Sequence, residues 1–184
     1  MKCTEKAYAK VNLTLQVGSR CPDGYHEVTS VMQRISLWDT VAVARGTGRD
    51  ELVCTPPVTE HEDDNLCMKA LRAFLAETGI KSDGVSITLE KHIPVQAGLG
   101  GGSSDAAAVL RALRTLYAQD MSDGRLETLA ARLGSDVPFF IRGGTQLATG
   151  RGEVVSPLPP LTAGWFVVVK PDEGYSTPEM YRRL

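Results

Sequence analysis

Between Pro94 and Ala108 the chain reads Pro-Val-Gln-Ala-Gly-Leu-Gly-Gly-Gly-Ser-Ser-Asp-Ala-Ala-Ala. This run restricts the possible folds more than any other stretch. Four glycines fall within five positions, Gly98 to Gly102, directly ahead of a strongly helical segment. Glycine reaches φ > 0 without strain and leaves the backbone N–H groups open to a ligand. A helix that starts just after such a loop presents unpaired N–H donors and the positive end of its dipole, a ready site for phosphate. Ser103 and Ser104 add hydroxyls suited to phosphate oxygens or a magnesium ion. Asp105 reads as a residue that caps or starts the helix. The plain alternative, a surface turn, does not call for four glycines and two serines.

The common phosphate loops do not fit. G-x-x-x-x-G-K-[ST] fails because no Lys follows the glycines. G-x-G-x-x-G fails because, counted from Gly98, its last position is Ser103. H-R-D and D-F-G, the protein-kinase signatures, are absent from the chain. The loop therefore belongs to another phosphate-binding architecture.

Around it the sequence alternates strand and helix signals. Ala7 to Val17 places Val11, Leu13, Leu15 and Val17 at a period of two and reads as a strand. Pro22-Asp23-Gly24 is a turn, with Pro fixing φ and Gly accepting the left-handed region. Val28 to Leu37 and Asp39 to Ala44 predict two further strands. Asp63-Asp64-Asn65 predicts a cap for a helix through Thr78, with Leu71, Phe74 and Leu75 inward and Gly79 as its stop. Val85 to Leu89 alternates as a strand and feeds the glycine loop. Ser104 to Tyr117 is the strongest helix, with Val109, Leu110, Leu113 and Leu116 at core spacing. A shorter helix runs from Asp123 to Leu133, ended by Gly134. Gly143 to Glu153 is turn-rich, Pro157 to Pro160 reads as a linker, and Trp165 to Val169 as a buried strand. Such a mixture, without strict βαβ alternation, predicts an α+β fold. The linker would divide a near-complete first domain, residues 1–156, from the opening elements of a second, 157–184.

Composition excludes several classes. At 184 residues the chain can bury one good core. A net charge of −2 argues against non-specific nucleic-acid binding, which draws on clustered Lys and Arg. Cys3, Cys21, Cys54 and Cys67 show no C-x-x-C spacing, so neither a zinc site nor a redox pair is indicated. His61 and His92 have no partners at metal spacing. Free thiols, no apolar signal core after Met1 and no membrane-length apolar run fit a cytoplasmic enzyme.

Two residues stand out as reactive candidates. Lys10 lies inside an alternating apolar strand, where an unpaired ammonium is expensive to bury. It reads either as a buried functional cation or as a lysine on the polar face. Asp136, between Gly134-Ser135 and Val137-Pro138-Phe139-Phe140, is a candidate base. Before Val-Pro an Asp is, on its own, more often a helix N-cap.

Pro94 to Ala107, as P-x-x-x-G-L-G-G-G-S-S-D-A-A, resembles the second motif of the GHMP kinases, the family of galactokinase, homoserine kinase and mevalonate kinase. Other stretches are similar to one branch, whose acceptor is a cytidine diphosphate ester of methylerythritol. They are Ala9-Lys10-Val11-Asn12-Leu13, Arg20 to Glu27, Gly134 to Phe140, Ala148 to Glu153, and Lys170-Pro171 through Ser176-Thr177-Pro178. Cys21 and Gln96 depart from the pattern, and the family's third, glycine-rich motif is not found in these residues, so the chain reads as a truncated member.

The resemblance implies a two-domain GHMP-kinase fold whose first, α+β domain is ribosomal-protein-like. It implies ATP as phosphoryl donor, with Mg2+, and phosphorylation of the 2-hydroxyl of 4-diphosphocytidyl-2-C-methyl-D-erythritol in the non-mevalonate isoprenoid route. Lys10 and Asp136 would be catalytic. Pro94, Gly98, Leu99, Gly100, Gly101, Gly102, Ser103, Ser104 and Asn65 would hold ATP, with Ser104 also a magnesium contact and Asn65 also a cap of the following helix. Asn12, Tyr25, His26 and Tyr175 would bind the acceptor, the aromatic rings stacking on its cytosine as rings do on bases outside a duplex. No nucleic acid or membrane partner is implied, and the chain would be a monomer or homodimer. The rival readings are another GHMP small-molecule kinase, of homoserine or mevalonate type, and a non-catalytic nucleotide- or RNA-binding fragment.

Overall fold

Two long strands form the spine of the chain. The computed structural model describes residues 1–20, 24, 26–161 and 164–171. In it β1 (Lys2–Arg20) and β2 (His26–Arg45) pair antiparallel from Lys2 opposite Ala44 to Arg20 opposite His26. The far edge of β2 is shared. Its Thr40–Arg45 half carries β4 (Val85–Glu90), and its Ser30–Gln33 stretch carries β5 (Thr145–Thr149), both antiparallel. Outside these lie β3 (Glu51–Thr55), parallel to β4, and β6 (Val154–Pro157), antiparallel to β5.

The helices pack on the sheet through one core. They are α1 (Leu66–Thr78), α2 (Gly101–Tyr117), α3 (Asp123–Ala131) and the single turn α4 (Phe139–Arg142). Val41, Val43, Ile87 and Leu89 of the strands meet Leu71 and Phe74 of α1, Leu110 and Leu113 of α2, and Leu126 and Leu129 of α3. This is the α+β arrangement that the strand and helix signals predict. No helix of the described residues is long and apolar enough to cross a membrane.

The β1–β2 ladder is broken once in a way that matters for the site. Tyr8 pairs with Trp38, but Lys10 pairs with Arg34, so Ala9 alone spans Ile35, Ser36 and Leu37. A bulge of this kind disrupts the ladder locally and turns side chains. The Lys10 N–H, on the open edge of β1, donates to the carbonyl of Leu99 at 3.0 Å. Ala9, Ile93 and Leu99 are buried there in a second small cluster with Val11, Ile35 and Leu37. The glycine loop is thereby docked on β1 at the residue singled out as a buried lysine.

Several sequence expectations change. The segments 28–37 and 39–44 form one strand, because Trp38 between them pairs with Tyr8 and β2 runs on through the bulge. The α2 helix begins at Gly101 rather than Ser104. A Cβ on Gly101 would lie 3.1 Å from Ile93 Cγ2 and 3.2 Å from Lys91 Nζ, so the helix opens on a residue packed tightly against its neighbours. Asp105 is consequently no cap; it lies inside the helix and is buried. The turn-rich stretch after Gly143 contains β5, and Pro157, expected in a linker, ends β6. Leu158 N–H then bonds the Thr145 carbonyl, holding the start of that segment to the sheet. β3 was not expected: five residues with a single alternation carry little signal. Trp165 to Val169, expected as a buried strand, joins no strand among the described residues, and Trp165 is 100% exposed.

The α1 helix follows its sequence signals closely. Asn65 Oδ1 accepts the Cys67 N–H at 2.9 Å, and Gly79 closes the helix at φ 68°. Phe74 is fully buried against α2 and the sheet. Phe74→Ala should cost about 3–5 kcal/mol, read as a lower urea midpoint. Asn65→Ala should cost about 1 kcal/mol through the lost cap.

Candidate active site

The cradle is built from backbone. Gly98 and Gly100 take φ of 70° and 69°, and Gly100 forms the N-cap of α2 without any side-chain bond. A Cβ on Gly100 would come 2.7 Å from the Phe140 ring and 3.1 Å from Lys10 Cγ. Glycine is therefore required there twice over, by conformation and by space. The helical ladder opens with Ser104 N–H to Gly100 C=O at 2.9 Å. The N–H groups of Gly101, Gly102 and Ser103 precede it and stand at the positive end of the helix. Gln96 is the one non-glycine among the described residues at positive φ, 55°, a conformation that costs an L-residue free energy.

The loop's other candidates divide by exposure. Gly102 and Pro94 are exposed, and Ser103 is half-buried. Leu99 is buried and anchors the loop beneath its glycines. Ser104 is 1% exposed, and its Oγ donates to the Tyr8 carbonyl at 2.7 Å. Its hydroxyl ties α2 to β1, and Ser103 is the better placed of the two to meet a phosphate. Asn65 is buried and caps α1, the second of the two roles considered for it.

Lys10 and Asp136 come together. Lys10 is 7% exposed, which decides against the solvent-facing alternative. Its Nζ lies 3.5 Å from Asp136 Oδ2 and donates to Asn12 Oδ1 at 2.5 Å. Asn12 Nδ2 donates in turn to Ser30 Oγ, which donates to the Thr14 carbonyl. This chain of bonds fixes the direction of the ammonium from β1 and β2. Asp136 stands in the turn between α3 and α4, and its side chain is 33% exposed. It is not a helix N-cap: Pro138 holds that position for α4, with no side-chain bond. A directed ammonium thus borders a partly exposed carboxylate, and the stem of Lys10 borders Gly100 of the cradle.

The acceptor-binding candidates are less fully placed. His26 opens β2, with its Nδ1 3.3 Å from the Gly18 carbonyl. Tyr25 and Tyr175 lie outside the described residues. For magnesium, no group of three or more His, Cys, Asp or Glu among the described residues is placed to hold an ion. The structure therefore assigns it no ligand set.

Sequence reasoning missed a buried ion cluster next to the cradle. Lys91 Nζ, at the end of β4, donates to Asp39 Oδ2 at 2.5 Å and to Asp105 Oδ2 at 2.7 Å. Asp39 Oδ1 accepts the His92 N–H and, at 2.7 Å, the Ile93 N–H. All three side chains are at most 6% exposed. One ammonium cannot offset two carboxylates in a dry site, and Asp105 bears the excess. Burial pushes its carboxyl up to about 7, the attraction of Lys91 opposing. Burial works to lower Lys91, but the two carboxylates outweigh it and hold the ammonium above the ordinary lysine value. The readable signal was Asp39, an acid at a core-facing position of an apolar strand.

Residues 65–144 match the family described as GHMP kinases N terminal domain. The chain is similar to curated proteins named 4-diphosphocytidyl-2-C-methyl-D-erythritol kinase. That of Heliobacterium modesticaldum is 53% identical over 180 residues, covering 97% of this chain and 57% of that protein. That of Geobacillus thermodenitrificans is 45% identical over 186 residues, covering 100% of this chain and 64% of the relative. The chain thus spans roughly three-fifths of the length of such relatives. A crystal structure of 4-(cytidine 5'-diphospho)-2C-methyl-D-erythritol kinase superposes with a TM-score of 0.70 at 42% identity, over 85% of this chain and 55% of that one. The mevalonate kinase of Methanococcus jannaschii, at 16% identity and a TM-score of 0.64 over 86% of this chain and 56% of that one, shares the fold.

The ion cluster makes stability depend on pH. The folded state raises Asp105 from 3.8 to about 7, so between those values it binds a proton that the unfolded chain releases. Stability should fall as pH rises across that window and level off above it. Asp105→Asn should flatten this part of the profile, read as urea midpoints from pH 4 to 8.

Proposed function

We propose that this chain serves the ATP-dependent phosphorylation of the 2-hydroxyl of 4-diphosphocytidyl-2-C-methyl-D-erythritol, a step of the non-mevalonate isoprenoid route. The observation that carries the reading is the Lys10–Asp136 pair, 3.5 Å apart, with the stem of Lys10 against Gly100 of the glycine loop. Phosphoryl transfer needs a phosphate cradle, an orienting or deprotonating group for the acceptor, and positive charge for the transition state. The first turn of α2 offers the cradle, through the N–H groups of Gly101, Gly102 and Ser103. Asp136 is open to solvent and takes the proton of the attacking hydroxyl. The new bond joins that oxygen to the γ-phosphorus, the bond to the bridging oxygen breaks, and ADP leaves with the charge. The Lys10 ammonium, aimed by Asn12, stabilises charge on the equatorial oxygens. Magnesium, when bound with ATP, supplies neutralising charge to the phosphates.

The choice of acceptor rests on the relatives' names and on the motif around Tyr25 and His26, which offers a ring and an imidazole for cytosine. The likeness to homoserine and mevalonate kinases, at 16–19% identity, supports the shared fold and not their acceptors. The reading places the reaction in the cytoplasm and requires neither nucleic acid nor membrane.

The direct test is ADP release by the 184-residue chain, given ATP, magnesium and 4-diphosphocytidyl-methylerythritol, with homoserine and mevalonate in parallel. ADP with the cytidine substrate alone is the expected result. ADP with another acceptor would keep the kinase and discard the substrate. Silence with all three would overturn catalysis by this chain on its own. In an active form, Lys10→Met and Asp136→Asn should each lower kcat by about 100- to 10,000-fold with the circular dichroism spectrum unchanged. Full turnover in either would remove that residue from the mechanism.

A further inference from the structure

The Asp39–Lys91–Asp105 cluster has no part in the proposed chemistry, yet it closes the glycine loop at both ends. Lys91 precedes the loop and Asp105 follows it, and a 2.7 Å bond between them joins the two flanks. Asp39 holds the entering backbone through the N–H groups of His92 and Ile93. Lys91 N–H is bound as well, to the Thr55 carbonyl at 2.8 Å. The ammonium abuts Gly101, the first residue of the phosphate cradle, as the 3.2 Å approach to a Cβ there shows. Asp105 Oδ1 is buried with no hydrogen-bond partner. An orphaned carboxylate oxygen is costly when charged, and less so in a protonated carboxyl. The cluster lies about one helical turn behind the N–H groups that would meet a phosphate.

We propose that Lys91 is a positioning residue that grips Asp39 and Asp105 together to shape the phosphate cradle, and that an anion entering the cradle is coupled to proton uptake at Asp105. The inference rests on the kinase reading only in taking the glycine loop as a nucleotide phosphate site. The coupling has a definite sign. With both carboxylates ionised the cluster carries a net negative charge behind the cradle; with Asp105 protonated it is neutral. A bound phosphate disfavours the first state, and by linkage the second state binds phosphate better. Affinity therefore falls as pH rises through the titration of Asp105. From the elements packed against the cluster, the thiols of Cys54 on β3 and Cys67 on α1 also feel its charges. Burial raises both, Cys67 well above its ordinary value, so neither ionises between pH 6 and 8.

Lys91→Met would leave two buried carboxylates unpaired and is prone to misfold. Asp105→Asn keeps the shape, keeps an oxygen for Lys91 and removes the titration. The experiment is calorimetric binding of ADP to the 184-residue chain and to Asp105→Asn from pH 6 to 8, in two buffers of different ionisation enthalpy. ADP has a titrating phosphate of its own, which the variant carries as a control. The expected result is that the wild-type Kd rises by about threefold more than the variant's over this range, with greater proton uptake near pH 7. Identical pH profiles and proton uptake would overturn the coupling and leave the kinase reading intact. Absence of ADP binding by both proteins at every pH would overturn both.

Discussion

The site depends on one backbone hydrogen bond between an edge strand and the glycine loop. β1 pairs with β2 alone, and on its open side the N–H of Lys10 is taken up by the carbonyl of Leu99. Alternate N–H groups of an antiparallel edge strand point away from its partner and are available to a loop. Because the bond is made at Lys10 itself, the residue that docks the glycine loop also supplies the ammonium beside it. Ser104 adds a second tie one residue pair away, its hydroxyl on the Tyr8 carbonyl. The loop and the catalytic candidate are thus placed by the same few atoms of β1.

Close packing explains the glycines better than flexibility does. Gly100 faces the Phe140 ring and the stem of Lys10, and Gly101 faces Ile93 and the Lys91 ammonium. A side chain at either position would push apart the cation on its own side of the loop. The exposed Gly102 has a different duty, since its bare backbone leaves the helix end open to a ligand. Runs of glycine thus combine packing requirements with access.

Much of this was legible in the sequence, and the failures have physical causes. The α1 helix could be read end to end because Asn65 and Gly79 perform the capping their chemistry favours. Lys10 was legible as an anomaly within an apolar strand. The start of α2 was not, because glycine's low intrinsic helix propensity points away from a helix that tertiary packing imposes. With the start misplaced, Asp105 reads as a residue that caps or starts the helix, whereas it is a buried partner of Lys91. The β5 strand was obscured by the glycines around it, and Trp165 to Val169 shows that apolar β-branched residues alone do not make a strand without a neighbour to pair with.

The divided edge of β2 has a mechanical consequence. Its Thr40–Arg45 half belongs to β4 and β3, and its Ser30–Gln33 stretch to β5 and β6, so those two wings share no ladder except through β2 and its companion β1. Between the wings lies the bulge. Lys10 sits on β1 at that break, and its ammonium reaches Asp136 in the turn that precedes α4 and the β5 wing. The ion pair therefore ties the undivided side of the sheet to the chain entering one wing, a cross-link that the strand ladders alone do not make.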